Sequence, residues 1–155
     1  MKRSEQLNPL SHDHYNGLLV ARRLQAGIDR GADPAVMSDY AVHFWDVELE
    51  RHFRQEEEVL LEALKRIDPE QAGRMVDEHR QIAQLIRGLR DCRAECAELL
   101  DELVRLLPEH IRFEERKAFP TLEKECPPEE LDAMGQQLKS DHPEADLGWE
   151  EAFWE

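Results

Sequence analysis

Two segments of the chain each carry a histidine and a glutamate four residues apart. His52 precedes Glu56, and His110 precedes Glu114 at the same spacing. In an α-helix, side chains four positions apart emerge one turn apart on the same face. A single histidine–glutamate pair at this spacing is common and carries little weight. Its repetition on a second segment is the observation that points to a metal site.

Two further histidines, His14 and His79, lie on two other segments, each at a position that would face a helical core. An unpaired buried carboxylate is strongly unfavourable or takes up a proton, so Glu56 and Glu114 need partners. Metal ions would satisfy the carboxylates and the imidazoles together. Four imidazoles and two carboxylates exceed the four ligands of a tetrahedral zinc ion. They fit two ions, each bound by two histidines and both bridged by the glutamates.

The mixture of nitrogen and oxygen donors predicts two iron ions, with manganese or zinc as alternatives. Two glutamates neutralise half of the charge of two divalent ions, which predicts a bridging hydroxide, oxide or other small anion. Each ion would then have about five ligands and an open position for dioxygen, nitric oxide or peroxide. The neighbouring acids Glu57 and Glu58 either form a solvated face or contact the metal-binding histidines from behind.

The spacing of apolar residues predicts the helices that position these groups. Each segment has an apolar stripe with intervals of three and four residues, as in antiparallel helix bundles. In each stripe a histidine replaces an apolar residue. The predicted bundle helices span residues of about 10–29, 34–66, 69–90 and 95–118, and a short fifth helix spans about 127–139.

Capping residues and prolines set the predicted helix ends. Ser11 or Asp13 is predicted to cap the first helix, and Asp-Pro steps at 33–34 and 68–69 begin the second and third. Pro108 predicts a bend or a local break in the fourth. The predicted fold class is all-α, an up-down-up-down four-helix bundle with a short C-terminal helix and a tail. We expect one domain over residues 1–155, with the bundle at about 10–120 and the C-terminal helix and tail at 127–155.

The residues around the four histidines resemble the hemerythrin-like HHE cation-binding domain family. The resemblance covers residues of about 10–125 and rests on DHYNGL around His14, HFRQEEEVL around His52, DEHRQI around His79 and HIRFEERKAFP around His110. It implies a di-iron centre in a four-helix bundle. The ligands that it implies are His14, His52, Glu56, His79, His110 and Glu114.

Two features depart from the oxygen-carrying members of that family. Those proteins have another histidine one turn after the one on the third helix, where this chain has Ala83, and Met75 lies one turn before. The absence of a fifth histidine argues against reversible oxygen carriage. Those proteins also use an acid five residues after the histidine of the fourth helix, which here is Glu115. An ideal helix places Glu114 about 40° and Glu115 about 140° from His110, so we predict Glu114 as the ligand.

The composition argues against several other functions. The 155 residues carry a formal net charge of −15, so nucleic acids and anionic membranes would repel the chain. No apolar stretch reaches the ~18 residues of a membrane span, and the first ten residues lack the apolar core of a secretion signal. We therefore expect a cytoplasmic protein with its three cysteines, Cys92, Cys96 and Cys126, reduced. The sequence does not indicate the oligomeric state.

The leading functional hypothesis is a di-iron protein that binds or senses a small oxidant, with dioxygen first and nitric oxide or peroxide next. A peroxide- or superoxide-removing enzyme is an alternative, although the sequence identifies no dedicated general base. Iron storage, binding of another divalent metal, and a metal-free partner module are further alternatives. The remaining histidines, His12, His43 and His142, lie off the bundle face or too far along it, and we predict that they do not bind metal.

Overall fold

The computed structural model describes residues 2–140 and 142–155, which form helices and no strand. Residues 1 and 141, in the predicted N-terminus and tail, lie outside the described residues. The helical elements are α1 (Asn8–Asp29), α2 (Pro34–Phe44), the π-helical turn π1 (Trp45–Leu49), α3 (Glu50–Val59), α4 (Leu61–Ile67), α5 (Pro69–Arg90), α6 (Cys96–Phe113), the π-helical turn π2 (Glu114–Ala118), α7 (Phe119–Glu125) and α8 (Pro128–Ser140). Within the described ranges, none of these helices has the length and apolarity needed to cross a membrane.

Four long helical runs, termed bundle helices 1 to 4, form the bundle. Bundle helix 1 is α1, and bundle helix 3 is α5. Bundle helix 2 joins α2, π1, α3 and α4 over residues 34–67, and bundle helix 4 joins α6, π2 and α7 over residues 96–125. Each packs against the next in the chain, and bundle helix 4 packs back against bundle helix 1. This confirms the predicted all-α helical bundle.

Bundle helices 2 and 3 begin where the sequence predicts. The Asp33 carboxylate accepts a hydrogen bond from the backbone N–H of Ala35 at 3.0 Å, and the Asp68 carboxylate accepts one from Gln71 at 3.1 Å. A proline follows each aspartate at the first helical position, where its missing N–H leaves no bond unmade. Gly31, at φ 72°, supplies the left-handed turn between the first two bundle helices.

The predicted cap of the first helix is wrong. Helix α1 begins at Asn8 without a side-chain cap, and the two predicted capping residues lie inside the helix. Both side chains contact residues on other helices. Ser11 donates a hydrogen bond to Glu115 at 2.7 Å. Asp13 accepts a hydrogen bond from His52 at 2.9 Å, so neither side chain is free to cap.

Pro108 does not break bundle helix 4, and the helix does not end before Phe119-Pro120 as predicted. Within the described chain, α6 runs through Pro108 without a break, and the helix continues past Ala118 to Glu125. Pro120 lies near the start of α7, directly after π2. The irregular winding of this bundle helix lies at π2.

Two apolar clusters fill the bundle on either side of a polar layer. The first cluster includes Val20, Leu24, Phe53, Ile82, Ile86, Leu107 and Ile111. The second cluster includes Leu10, Leu60, Met75, Phe113 and Phe119. Along each bundle helix, a histidine of the predicted site lies between a residue of one cluster and a residue of the other. The polar layer is therefore held in place by apolar packing at both ends.

The C-terminal helix and tail pack against the bundle. Helix α8 contributes to the second cluster with Leu131, Met134 and Leu138. In the tail, three aromatic rings lie 5.1 to 5.5 Å from the ring of Tyr40, and they belong to Trp149, Phe153 and Trp154. The guanidinium of Arg23 lies 4.3 Å from the ring of Trp154, close enough for a cation–π contact.

The prediction that all three cysteines are reduced is wrong for two of them. Cys92 and Cys96 form a disulfide, with their Cα atoms 5.4 Å apart. The two residues do not share one helix: Cys92 lies in the connection after α5, and Cys96 begins α6. This turn brings the two sulfur atoms together. Cys126 is a buried free thiol.

Candidate metal centre

Six side chains singled out by the sequence meet in the polar layer of the bundle. Each is at most 4% exposed, and all four bundle helices contribute. We term them the inner cluster: His14, His52, Glu56, His79, His110 and Glu114. They converge because each occupies a position of the buried stripe of its helix.

Glu56 contacts three of the histidines. Its Oε1 atom lies 2.9 Å from Nε2 of His79. Its Oε2 atom lies 3.2 Å from Nε2 of His52 and 3.5 Å from Nε2 of His14. The two oxygens of one carboxylate therefore face different histidines, as a bridging carboxylate would require.

Glu114 occupies a corresponding place on bundle helix 4. Its Oε1 atom lies 2.9 Å from Nε2 of His14 and 3.2 Å from Nε2 of His110. Its Oε2 atom lies 3.5 Å from Nε2 of His79. The Nε2 atom of each of the four histidines thus has at least one oxygen of the two glutamates within 3.5 Å.

The donor atoms fall into two groups that share both glutamates. One group, position 1, has His14 and His52, and the other, position 2, has His79 and His110. Within each group the candidate ligand atoms lie within 4.8 Å of one another. Each position offers two imidazole nitrogens and carboxylate oxygens from two glutamates, which is the arrangement expected for a two-ion centre.

The Nδ1 atom of each histidine in the inner cluster points away from the two glutamates and contacts a further carboxylate. The distances from Nδ1 to the carboxylate oxygen are 2.6 Å for His14–Glu115, 2.9 Å for His52–Asp13, 2.7 Å for His79–Glu57 and 2.8 Å for His110–Glu78. We term these four acids the outer carboxylates. An imidazole that donates its Nδ1 proton to a carboxylate has a fixed ring orientation and presents its Nε2 lone pair to an ion.

Sequence reasoning found only part of this outer layer. For Glu57, the structure bears out the second of the two alternatives, the contact with a site histidine from behind. The sequence suggests Glu115 as a rival ligand and Asp13 as a helix cap, and it indicates no role for Glu78. The signal that could have found them is an acid directly beside a residue of the inner cluster, which occurs at each of the four places.

Two adjacent glutamates at the start of a π-helical turn contact the same histidine. Turn π2 begins at Glu114, and Glu114 approaches Nε2 of His14 while Glu115 approaches Nδ1 of the same ring. Single π-helical turns occur often at functional sites. Glu114 therefore belongs to the inner cluster and Glu115 to the outer layer.

Several buried atoms of the inner cluster have unsatisfied hydrogen-bonding capacity. Among the described residues, four buried atoms of the cluster have no hydrogen-bond partner: Nε2 of His52 and His110, and Oε2 of Glu56 and Glu114. When Nδ1 carries the proton of a neutral imidazole, Nε2 presents a lone pair to a carboxylate oxygen, which presents lone pairs as well. Such an arrangement is unfavourable unless a cation or a proton lies between the atoms. The donor set fits metals that accept nitrogen and oxygen ligands.

The pKa values of the four histidines are raised, which shows that the inner cluster favours positive charge. Burial disfavours the protonated form of His52, but the charge of Glu56 and the hydrogen bond with Asp13 raise its pKa to about 9. The pKa of His79 is raised to about 11, against its burial, by hydrogen bonds with its carboxylate neighbours. The neighbouring glutamates also raise the pKa values of the other two histidines, again against burial. Four imidazolium charges equal the charge of two divalent ions.

The two inner glutamates remain ionised near neutral pH. Burial and the nearby charge of Glu114 favour protonation of Glu56, but the surrounding histidines lower its pKa to about 2. The pKa of Glu114 is held well below its usual value, against burial, chiefly by His110. Both are therefore in the form that binds metal.

The outer carboxylates change the charge balance inferred from the sequence. The prediction of a bridging anion counted two glutamates, whereas the structure places four further acids around the histidines. Three arginines offset part of this charge, at 3.2 Å for Arg3–Glu115, 3.8 Å for Arg51–Asp13 and 3.1 Å for Arg74–Glu78. The charge argument for a hydroxide, oxide or other small-anion bridge therefore no longer holds, and the bridge stays a prediction.

The other three histidines lie outside the inner cluster. His12 is exposed, and Nε2 of His43 lies 3.2 Å from the backbone oxygen of Asp146. Nε2 of His142 lies 3.1 Å from Oδ1 of Asp13. The tail therefore reaches an outer carboxylate, a contact that the sequence did not predict.

Comparison with known families agrees with this geometry. The Hemerythrin HHE cation binding domain family matches residues 10–122 and 75–151, and the first match contains the whole inner cluster. No curated protein and no solved structure matches the chain. The family match confirms the resemblance seen in the histidine motifs, and it covers well over half of the chain. With its buried histidine and glutamate groups arranged for a metal cation, the chain belongs to the hemerythrin HHE cation-binding domain family.

Proposed function

We propose that the inner cluster binds two iron ions, one in each position, and that this centre binds or senses a small oxidant. The observation that carries the proposal is the pair of buried donor groups sharing Glu56 and Glu114. The unsatisfied Nε2 and Oε2 atoms in these groups support it, since metal cations would satisfy them together. Manganese and zinc are the alternative metals.

The number of protein donors supports binding of an exogenous molecule. Each position offers two imidazole nitrogens and carboxylate oxygens, and such sets with open positions are typical of non-haem Fe(II) sites that react with dioxygen. Iron bound there supplies an open coordination position for dioxygen, nitric oxide or peroxide. Dioxygen is our first choice.

A surface cavity beside position 2 supplies a route for such a molecule. Its volume is about 540 Å³, and Trp45, Phe53, His79 and Ala83 contribute to its lining. The ring of Phe53 stacks on His79 at a centroid distance of 3.9 Å and meets the edge of His110 at 5.5 Å. Residue 83, one turn after His79, is an alanine and adds only a methyl group to the lining. We propose that a small rotation of Phe53 admits a diatomic molecule.

The residues of the chain prepare the centre for this role. The outer carboxylates accept the Nδ1 protons, so each imidazole keeps its Nε2 lone pair directed inward. Burial of the inner cluster excludes water, which strengthens the attraction between cations and carboxylates.

Metal analysis combined with an oxidant titration tests the proposal. Protein purified from its native host should contain two irons per chain, and the reduced protein should change its visible spectrum on addition of dioxygen. His52→Ala should lose both properties, while His43→Ala, a matched change outside the inner cluster, should retain them. One zinc per chain, or a spectrum unchanged by dioxygen, nitric oxide and peroxide, would overturn the proposal.

A further inference from the structure

The polar residues of the site occur as two copies of one pattern. An acid followed by a histidine, Asp13-His14, precedes a histidine and two glutamates in residues 52–57. The same order recurs as Glu78-His79 and residues 110–115. Bundle helices 1 and 2 carry the first copy and form hairpin 1, and bundle helices 3 and 4 carry the second and form hairpin 2. The histidines of position 1 belong to hairpin 1, and those of position 2 belong to hairpin 2.

The outer carboxylates are of two kinds. Asp13 and Glu78 each contact a histidine of their own hairpin, at 2.9 and 2.8 Å. Glu57 and Glu115 each contact a histidine of the other hairpin, at 2.7 and 2.6 Å. Glu57 and Glu115 therefore connect one metal position to the hairpin that carries the other.

Each cross-hairpin carboxylate acts with the glutamate before it in the chain. Glu56 approaches Nε2 of His79 at 2.9 Å, and Glu57 approaches Nδ1 of the same ring at 2.7 Å. The glutamates at 114–115 approach the two nitrogens of His14 in the same way, at 2.9 and 2.6 Å. A pair of adjacent glutamates thus contacts both nitrogens of one imidazole in the opposite hairpin.

We propose that Glu57 and Glu115 are positioning residues that couple the two metal positions, so that the ions bind as a pair. The inference rests on the proposed function in requiring a two-ion centre, and it does not depend on iron or on an oxidant. An ion in position 1 fixes Glu56 and the helical turn that carries Glu57, which then orients His79 for position 2. Glu115 relays the same effect from Glu114 to His14. Coupling of this kind is reciprocal.

The exposure of these two residues makes the inference testable. The side chains of Glu57 and Glu115 are 38% and 29% exposed, so substitution there leaves the buried core intact. Glutamine keeps the shape and an acceptor oxygen but removes the charge. Asp13→Asn and Glu78→Gln are the matched changes within a hairpin. Exposed Glu58, the next acid along α3, supplies a control for the loss of one negative charge.

Native mass spectrometry during titration with zinc counts the chains that hold no ion, one ion and two ions. In the wild-type protein and in Glu58→Gln, we expect most of the chains that hold zinc to hold two ions, even when less than one zinc ion per chain has been added. In Glu57→Gln and Glu115→Gln, the ratio of the second to the first binding constant should fall at least about tenfold, so the one-ion form accumulates. Asp13→Asn and Glu78→Gln should bind more weakly but still mainly in pairs.

Two results overturn the inference, and they differ in what else they affect. If the wild-type protein fills its positions independently, or Glu57→Gln titrates like Glu58→Gln, the coupling is wrong while the two-ion centre stands. If the wild-type protein never takes up a second ion at saturation, both the inference and the proposed function fail.

Discussion

The carboxylate of Asp13 accepts a hydrogen bond from Nδ1 of His52 at 2.9 Å, although Asp13 lies beside His14 in the chain. Its other oxygen lies 3.1 Å from Nε2 of His142 in the tail. One buried aspartate therefore joins bundle helix 1, bundle helix 2 and the C-terminal segment. This contact gives the tail a direct connection to position 1.

We predict that His142→Gln weakens metal binding in position 1 by a few fold. Loss of the imidazole frees Asp13 to move away from His52, which then holds its ion less firmly. Competition with a chromophoric chelator measures the effect. His43→Gln is the control, because His43 contacts the tail at the backbone of Asp146 but touches no outer carboxylate. Equal effects of the two substitutions would mean that tail packing alone is responsible.

Removal of metal should lower the thermal stability of the protein. Ions that bind only the folded chain stabilise it by mass action, by about 2.7 kcal/mol per site when free metal is 100 times Kd. We expect the midpoint of thermal unfolding to fall after chelation and to recover when zinc is added back. An unchanged midpoint after verified metal removal would contradict the assignment of the inner cluster as a metal site.

The stabilisation by metal should increase with pH. In the ion-free protein the histidine pKa values are raised, to about 9 for His52 and about 11 for His79. The paired imidazolium charges therefore stabilise the fold fully below about pH 6.5, the pKa of an unfolded histidine, and this contribution is lost as the pH rises through the folded values. Metal binding requires neutral imidazoles and competes with these protons.

Thermal unfolding with and without zinc at about pH 6.5 and about pH 9 checks this sign. The zinc-dependent rise in midpoint should be larger at the higher pH. Binding near neutral pH should also release protons, toward one for each of the four raised histidines, which calorimetry in buffers of different ionisation enthalpy measures. A rise in midpoint that shrinks with pH would show that protons do not occupy the place of the ions.

Filling the cavity beside His79 should slow access of a small oxidant. Ala83→Leu adds apolar bulk without a donor atom, so metal content should stay at the wild-type level. Stopped-flow mixing of the reduced protein with nitric oxide should give an association rate at least several fold lower. Ala26→Leu, a matched change on bundle helix 1 in another surface cavity, is the control. An unchanged rate for Ala83→Leu would exclude the proposed route.

The inner cluster could be predicted from the sequence because its residues interrupt apolar stripes. At His14, His52, His79 and His110 the interval of three or four residues continues, but the residue type changes from apolar to imidazole. Burial then follows from the pattern, and convergence follows from bundle packing. The same logic found the four bundle helices and the Asp-Pro starts of the second and third.

The outer carboxylates could not be predicted in this way because acids are common in the chain. With 35 aspartates and glutamates, an acid beside a site residue resembles any surface acid until the neighbouring helix is in place. The π-helical turns π1 and π2 carry no comparable local signal in the sequence. Asp13 illustrates the difficulty with acids, because its residue type suggests a cap and its contacts give it another role.

The tail and the cysteines show the same dependence on tertiary structure. The aromatic residues of the tail pack against Tyr40 of the bundle. The contact of His142 with Asp13 depends on where the chain turns after α8, which no local pattern specifies. The disulfide likewise depends on the connection between α5 and α6, which separates Cys92 from the helix that Cys96 begins.

Anomalous diffraction from crystals of the metal-loaded protein tests the central claim most directly. We predict two peaks inside the bundle, one roughly 2 Å from Nε2 of His14 and His52 and the other equally close to Nε2 of His79 and His110. Carboxylate oxygens of Glu56 and Glu114 should lie near both peaks. A single peak, or metal bound outside these six side chains, would contradict the two-ion centre.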